Sequence, residues 1–165
     1  MRYRAMFFMT MASFLIISIL SQTSTNFCSL INRCDWRASY FVNPGLRGKP
    51  YLIREESSPN YNWDTKAPIE GLPPDLFSVR WESTLLASET CEAEFMIYAD
   101  DGFQFFIDEK LVFENNYQSN GKRIYKHNFS KGKYHLTLDY YELSLGAFIE
   151  FEMKVPNKCK FSLTP

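Results

Sequence analysis

Histidine is nearly missing from this 165-residue chain, with two copies at His127 and His135, and its four cysteines include no closely spaced pair. Structural zinc sites draw on cysteine pairs about two to four residues apart, so a zinc-centred fold is not expected. No basic stripe runs along the chain, and 18 basic residues face 19 acidic ones, which argues against nucleic acid as a partner. There is no Gly-x-Ser-x-Gly elbow for a serine nucleophile, no phosphate-cradling glycine loop, and no cysteine and histidine pairing suited to an exported fold. After the first stretch the chain also lacks a second hydrophobic span, an amphipathic helical segment of useful length, internal repeats and low-complexity tracts.

The first stretch itself reads as a secretory leader. Arg2 and Arg4 precede a run from Ala5 to Leu20 that is apolar except for Thr10, Ser13 and Ser18, and a small polar segment follows from Ser21 to Thr25. Charged start, short hydrophobic middle and small-residue exit define a signal peptide, assigned here to residues 1–24. An uncleaved anchor is the alternative, but the run is shorter than the roughly 20 residues that cross a bilayer. Residues 25–165 then form one domain of ordinary size, with 16 basic and 19 acidic residues. All four cysteines, Cys28, Cys34, Cys91 and Cys159, lie in that part, and a secreted chain with an even count favours two disulfides. Three pairings are open; the crowding of Cys28, Cys34 and Cys159 near the ends favours a bridge that ties the termini together. Asn128-Phe129-Ser130 is a candidate glycosylation acceptor at Asn128.

Period-two alternation dominates from Phe77 onward and predicts strands. Phe77, Val79 and Trp81 oppose Ser78, Arg80 and Glu82; Tyr134, Leu136, Leu138 and Tyr140 oppose His135, Thr137 and Asp139; Ala147, Ile149, Phe151, Met153 and Val155 oppose Glu150, Glu152 and Lys154. From Asn43 to Pro74, proline and glycine punctuate the chain, which predicts a loop layer or edge turns, with Tyr51 to Ile53 its short apolar run. Tyr61 and Trp63 either pin this layer to the core or belong to a ligand surface. The sum is an all-β, antiparallel β-sandwich.

Asp100-Asp101-Gly102 stands at the join of two apolar runs, a hairpin with an acidic tip. Successive side chains of an extended strand point to opposite faces, so adjacent carboxylates can grip one ion only where the backbone leaves that geometry, as at a cis peptide. The other reading is turn chemistry alone, with Gly102 supplying positive φ and an aspartate capping the turn.

Four ordered pieces carry a resemblance: Gly71 to Glu82 (GLPPDLFSVRWE), Tyr98 to Asp108 (YADDGFQFFID), Lys131-Gly132-Lys133-Tyr134, and Tyr140-Tyr141-Glu142 with Gly146-Ala147. In this order, and spread from about Trp36 to Lys154, they resemble the PA-fourteen domain family, the protective-antigen type shared with yeast flocculins, fungal adhesins and bacterial glycosidases. The resemblance implies a jelly-roll-like β-sandwich that often binds carbohydrate. In the flocculin and adhesin branch, paired aspartates joined by a cis peptide hold calcium, which binds sugar hydroxyls; they map onto Asp100 and Asp101. The third ligand of that branch, an asparagine, maps onto Glu142, a departure that adds charge to the site and leaves fewer open positions for sugar. Glu109 stands where the family has a turn glycine, a change of turn geometry rather than chemistry.

The resulting expectation is a secreted, non-catalytic, lectin-like module for a carbohydrate or glycoprotein ligand. Calcium would be held by Asp100, Asp101 and Glu142, with Tyr117, Tyr141 and Leu143 against the sugar's apolar face. A site of one exposed ion and a few hydrogen bonds binds at about millimolar strength, so a useful lectin would oligomerise or join a larger extracellular assembly. The alternative is a structural or protein-interaction module in which calcium is a staple or absent. Glycoside hydrolysis is not expected, since its two carboxylates face each other about 5 to 9.5 Å apart across a sugar.

Overall fold

The computed structural model describes residues 35–115 and 121–165. The leader, Cys28, Cys34 and Tyr117 fall outside them. Eleven strands follow one another: β1 (Trp36–Phe41), β2 (Leu52–Glu56), β3 (Tyr61–Asp64), β4 (Phe77–Ala87), β5 (Cys91–Asp100), β6 (Gly102–Ile107), β7 (Lys110–Asn115), β8 (Arg123–Phe129), β9 (Gly132–Glu142), β10 (Ala147–Lys154) and β11 (Phe161–Thr164). They form two antiparallel sheets packed face to face. One runs β2-β1-β4-β9-β6-β7, with β11 lying end to end with β1 along β4; the other runs β3-β10-β5-β8.

The alternating rows become the two inner faces. Phe77, Val79, Trp81, Leu136, Leu138, Tyr140, Phe103 and Phe105 are fully buried on the larger sheet, opposite Phe95, Ile97, Ala99, Ala147 and Ile149 on the smaller. Phe105 packs across the gap onto Phe95 and Phe151, with ring centroids 5.0 and 6.0 Å apart. Tyr61 stacks on Trp63, whose edge meets Phe77, so these two rings do pin their segment to the core.

Two expectations need correction. The segment from Asn43 to Pro74 is not loop throughout, because it holds β2 and β3, one edge strand of each sheet. Alternation failed to reveal β2 because its inward positions are Arg54 and Glu56. Glu56 is buried and accepts hydrogen bonds from Tyr40, Trp81 and Arg54, so a polar network stands where apolar side chains would have marked the strand. Secondly, Cys159 pairs with Cys91 rather than with an N-terminal cysteine. After β10 the chain returns to β4, where β11 pairs with Thr84 to Ala87 and the Ser88 N–H donates to the Lys160 carbonyl; this brings Cys159 to the start of β5.

At the β6–β7 turn, Asp108 and Glu109 both take positive φ, 49° and 65°, so the turn forms without the glycine. The backbone amide of His135 donates to Asp108 Oδ1 at 2.7 Å, anchoring it.

Candidate functional site

Asp100 ends β5 and Gly102 begins β6, but the expected hairpin does not form: β5 pairs with β8 and β10 and β6 with β7 and β9, so the acidic tip is the whole crossing from one sheet to the other. The Asp100–Asp101 peptide is cis. Three other segments reach the same end of the sandwich. Glu142 closes β9 opposite Phe77, Leu143 to Gly146 lead into β10, and Asp75 and Leu76 lead into β4.

Asp101 and Asp75 bind the β9–β10 loop together. Asp101 Oδ2 accepts from the N–H groups of Leu143 and Ser144 at 2.6 and 3.3 Å, and Asp75 Oδ1 accepts from Leu145 N–H at 3.0 Å. Leu145 lies in the left-handed region, φ 76°, with 78% of its surface exposed, and Leu76 has φ 57° with 55% exposed. Positive φ is unfavourable for a leucine. The Asp75 bond therefore helps hold an apolar side chain in solvent beside the carboxylates.

Glu142 lies inward of the pair and is fully buried. Its Oε2 is 2.8 Å from the Tyr140 hydroxyl, which also reaches the Asp100 carbonyl oxygen. One phenol hydrogen cannot serve two acceptors, so an ionised Glu142 leaves an oxygen wanting a partner. Its Oε1 finds no hydrogen-bond donor among the described residues. Burial foremost pushes the Glu142 carboxyl up to about 8; the Tyr140 hydroxyl, next in weight, pulls it down, and the charge and nearby carboxyl of Asp101 and then the Asp100 charge push it up again. Burial and the neighbouring Asp101 raise Asp100 as well.

A buried acid with an orphaned oxygen beneath two part-exposed carboxylates suits a hard cation bound through oxygen, and calcium takes about six to eight such ligands. Among the described residues no three acidic, histidine or cysteine side chains converge on one point as a finished metal cage. Backbone carbonyls and water would therefore supply much of any ion's shell.

Asp100, Asp101, Glu142 and Leu143 are thus brought to one end of the fold. Tyr141 is beside them but faces outward on the larger sheet, where its hydroxyl donates to Gln104 Oε1 at 2.5 Å. Asn128 is exposed on the edge strand β8, away from this end. Sequence reasoning missed Asp75 and Tyr140, one read as part of a motif and the other as core. Nothing local in the sequence marks either, since their roles come from contacts 70 and 40 residues away.

The PA14 domain model matches residues 37–158. No characterised protein matches the chain by overall sequence. Among solved structures, an anti-sigma factor domain-containing protein from Clostridium clariflavum is similar at 24% identity and TM-score 0.63, covering 79% of this chain and 44% of that one. This chain thus spans less than half of that protein. The PA14 sugar-binding domain from an RTX adhesin is similar at 12% identity and TM-score 0.60, covering 78% and 93%. The Epithelial Adhesin 9 A domain from Candida glabrata, solved with Galb1-4GlcNAc, is similar at 10% identity and TM-score 0.59, covering 78% and 88%.

Proposed function

The chain belongs to the PA14 domain family, and from that membership we propose that it is a secreted, non-catalytic carbohydrate-binding module whose ligand site is the acidic end of the sandwich. Asp100 and Asp101 hold a calcium ion from their part-exposed position, and Glu142 balances it from beneath. Bound there, calcium would offer its open coordination positions to vicinal hydroxyls of a sugar. Leu143, Leu145 and Leu76 frame the site with apolar surface for the sugar's C–H face.

The observation that carries this reading is the buried Glu142 Oε1, which finds no donor among the described residues and lies beside two adjacent carboxylates. Three acids collected with no basic side chain among their hydrogen-bond partners repel one another, and a cation relieves that repulsion. Sugar-binding similarity in the RTX and Candida glabrata adhesin domains supports the carbohydrate class. Export is supported by the Cys91–Cys159 disulfide, since such bonds persist in oxidising compartments.

One observation favours a second reading. Asp101 Oδ2 already serves two loop amides, so the tip also works as a staple between loops without any ligand, as a protein-interaction module would need. A glycan array probed with calcium and with chelator separates the two. Saccharide binding lost on chelation supports the lectin reading. Absence of saccharide binding, with calcium raising the melting temperature, leaves the staple. Asp100→Asn with Asp101→Asn is expected to abolish the calcium-dependent rise, because a ligand that binds only the folded state stabilises by RT ln(1 + [L]/Kd), about 2.7 kcal/mol at a hundredfold excess over Kd. A melting temperature indifferent to calcium removes the cation.

A further inference from the structure

We propose that the binding surface continues from Asp100 along the outer face of β10 and β3, so that the ligand is an oligosaccharide whose second sugar ring rests on Phe148 and Tyr98. This rests on the carbohydrate-binding reading above. Phe148 lies directly opposite Asp100 in the β5–β10 ladder, and Asn62 of β3 lies beside Phe148. An amide, an aromatic ring and a carboxylate therefore stand in one row across three strands. In the next row Glu150 lies opposite Tyr98.

The outer face of the smaller sheet is divided. Away from the tip it is charged and self-paired, with Lys126 near Glu92 and Glu94 at 3.6 and 3.7 Å, and Lys154 near Glu152 at 3.3 Å. Near the tip, Phe148 meets Tyr98 with centroids 4.7 Å apart at 66°, both rings are half-buried on a face turned to solvent, and exposed Glu150 makes no ion pair among the described residues. A hollow of about 240 Å³ opens there, lined by Asn60, Tyr61, Asn62, Phe148, Ile149 and Glu150.

Asn60 is committed, because its amide bridges the Phe151 N–H and carbonyl at 2.8 and 3.0 Å. Asn62 accepts from Asp64 N–H at 3.1 Å through its oxygen, which leaves its NH₂ pointing to no partner among the described residues. The hollow thus offers an amide donor, a carboxylate acceptor and an aromatic surface. Sugars present matching groups, with hydroxyls around the rim and C–H bonds on the face. The volume suits one ring rather than a drug-sized ligand of roughly 300 Å³ or more. Directly opposed residues have Cβ atoms about 5 Å apart, so Asp100 and Phe148 are immediate neighbours on this face.

The test is an immobilised array of mono-, di- and trisaccharides of glucose, galactose, mannose, N-acetylglucosamine and fucose, probed with the mature protein in calcium and in chelator. At least one di- or trisaccharide is expected to bind about tenfold more tightly than its parent monosaccharide. Phe148→Ala and, separately, Glu150→Ala should bring the longer sugar down to the level of the monosaccharide, while Phe148→Tyr restores the gain and excludes a folding defect. Equal binding of short and long sugars, or a gain that survives both alanine variants, overturns this inference and leaves the acidic site standing. A chain-length gain that persists in chelator supports the hollow and removes calcium instead. No saccharide bound under any condition overturns both readings.

Discussion

At the scale of single residues, Glu142 has the most exacting surroundings. With its carboxyl held near 8 by burial and by Asp101, it is neutral in the metal-free protein at mildly acidic pH and is driven to ionise as pH rises. An acid whose native pKa lies above its ordinary value of 4.5 contributes stability that is intact below that value and is lost as pH climbs through the native one. In chelator, the melting temperature is therefore expected to fall between about pH 5 and pH 8, and Glu142→Gln should flatten that slope because the amide cannot ionise. Parallel slopes for the two proteins would show that Glu142 does not titrate in this range. Period-two alternation places Glu142 on the inward row of Leu136, Leu138 and Tyr140, so its direction was legible in the sequence, whereas its complete burial was not.

Elements are joined here by a small number of long-range ties. Asp101 to Leu143 and Ser144, and Asp75 to Leu145, fasten the β9–β10 loop. Asp101→Ala should raise amide exchange at Leu143 and Ser144 while leaving Leu145 protected, and Asp75→Ala should do the reverse. Loss of all three protections in either variant would mean that the loop opens as one unit. The Cys91–Cys159 bridge closes 68 residues of sequence, which corresponds to about 4 kcal/mol in the chain-entropy model. Cys91→Ser with Cys159→Ser is expected to lose roughly that much in denaturant unfolding. The acidic turn was legible because Asp-Asp-Gly between two apolar runs is a local signal, but that it crosses between sheets rather than closing a hairpin was not, since strand partners are not local. β2 was not, because its network of buried Glu56 and part-exposed Arg54 makes sense only beside Tyr40 and Trp81.

For the molecule as a whole, the two sheets are held by aromatic packing across their gap. Phe105 is the clearest link, since it leaves the larger sheet to meet Phe95 and Phe151 of the smaller one and is fully buried. Phe105→Ala is expected to cost about 3 to 5 kcal/mol and to lower the melting temperature by roughly 10 °C. A markedly smaller loss would show that the neighbouring rings collapse into the cavity. The same architecture gathers the candidate site at one end: the β5–β6 crossing, the β9–β10 loop and the approach to β4 all emerge there, so acids distant in sequence become neighbours.

Side-chain alternation along each strand is a local property, and it gave the inner rows of β4, β9 and β10 and the sandwich class, while Asp-Asp-Gly gave the acidic turn. What lies beside what is not local. The partner of Cys159, the burial of Glu142, the duty of Asp75 and the row of Asn62, Phe148 and Asp100 were decided when strands far apart in the chain took their register. Cross-strand neighbours are set by pairing energies summed over whole sheets, and no short stretch of sequence contains that sum.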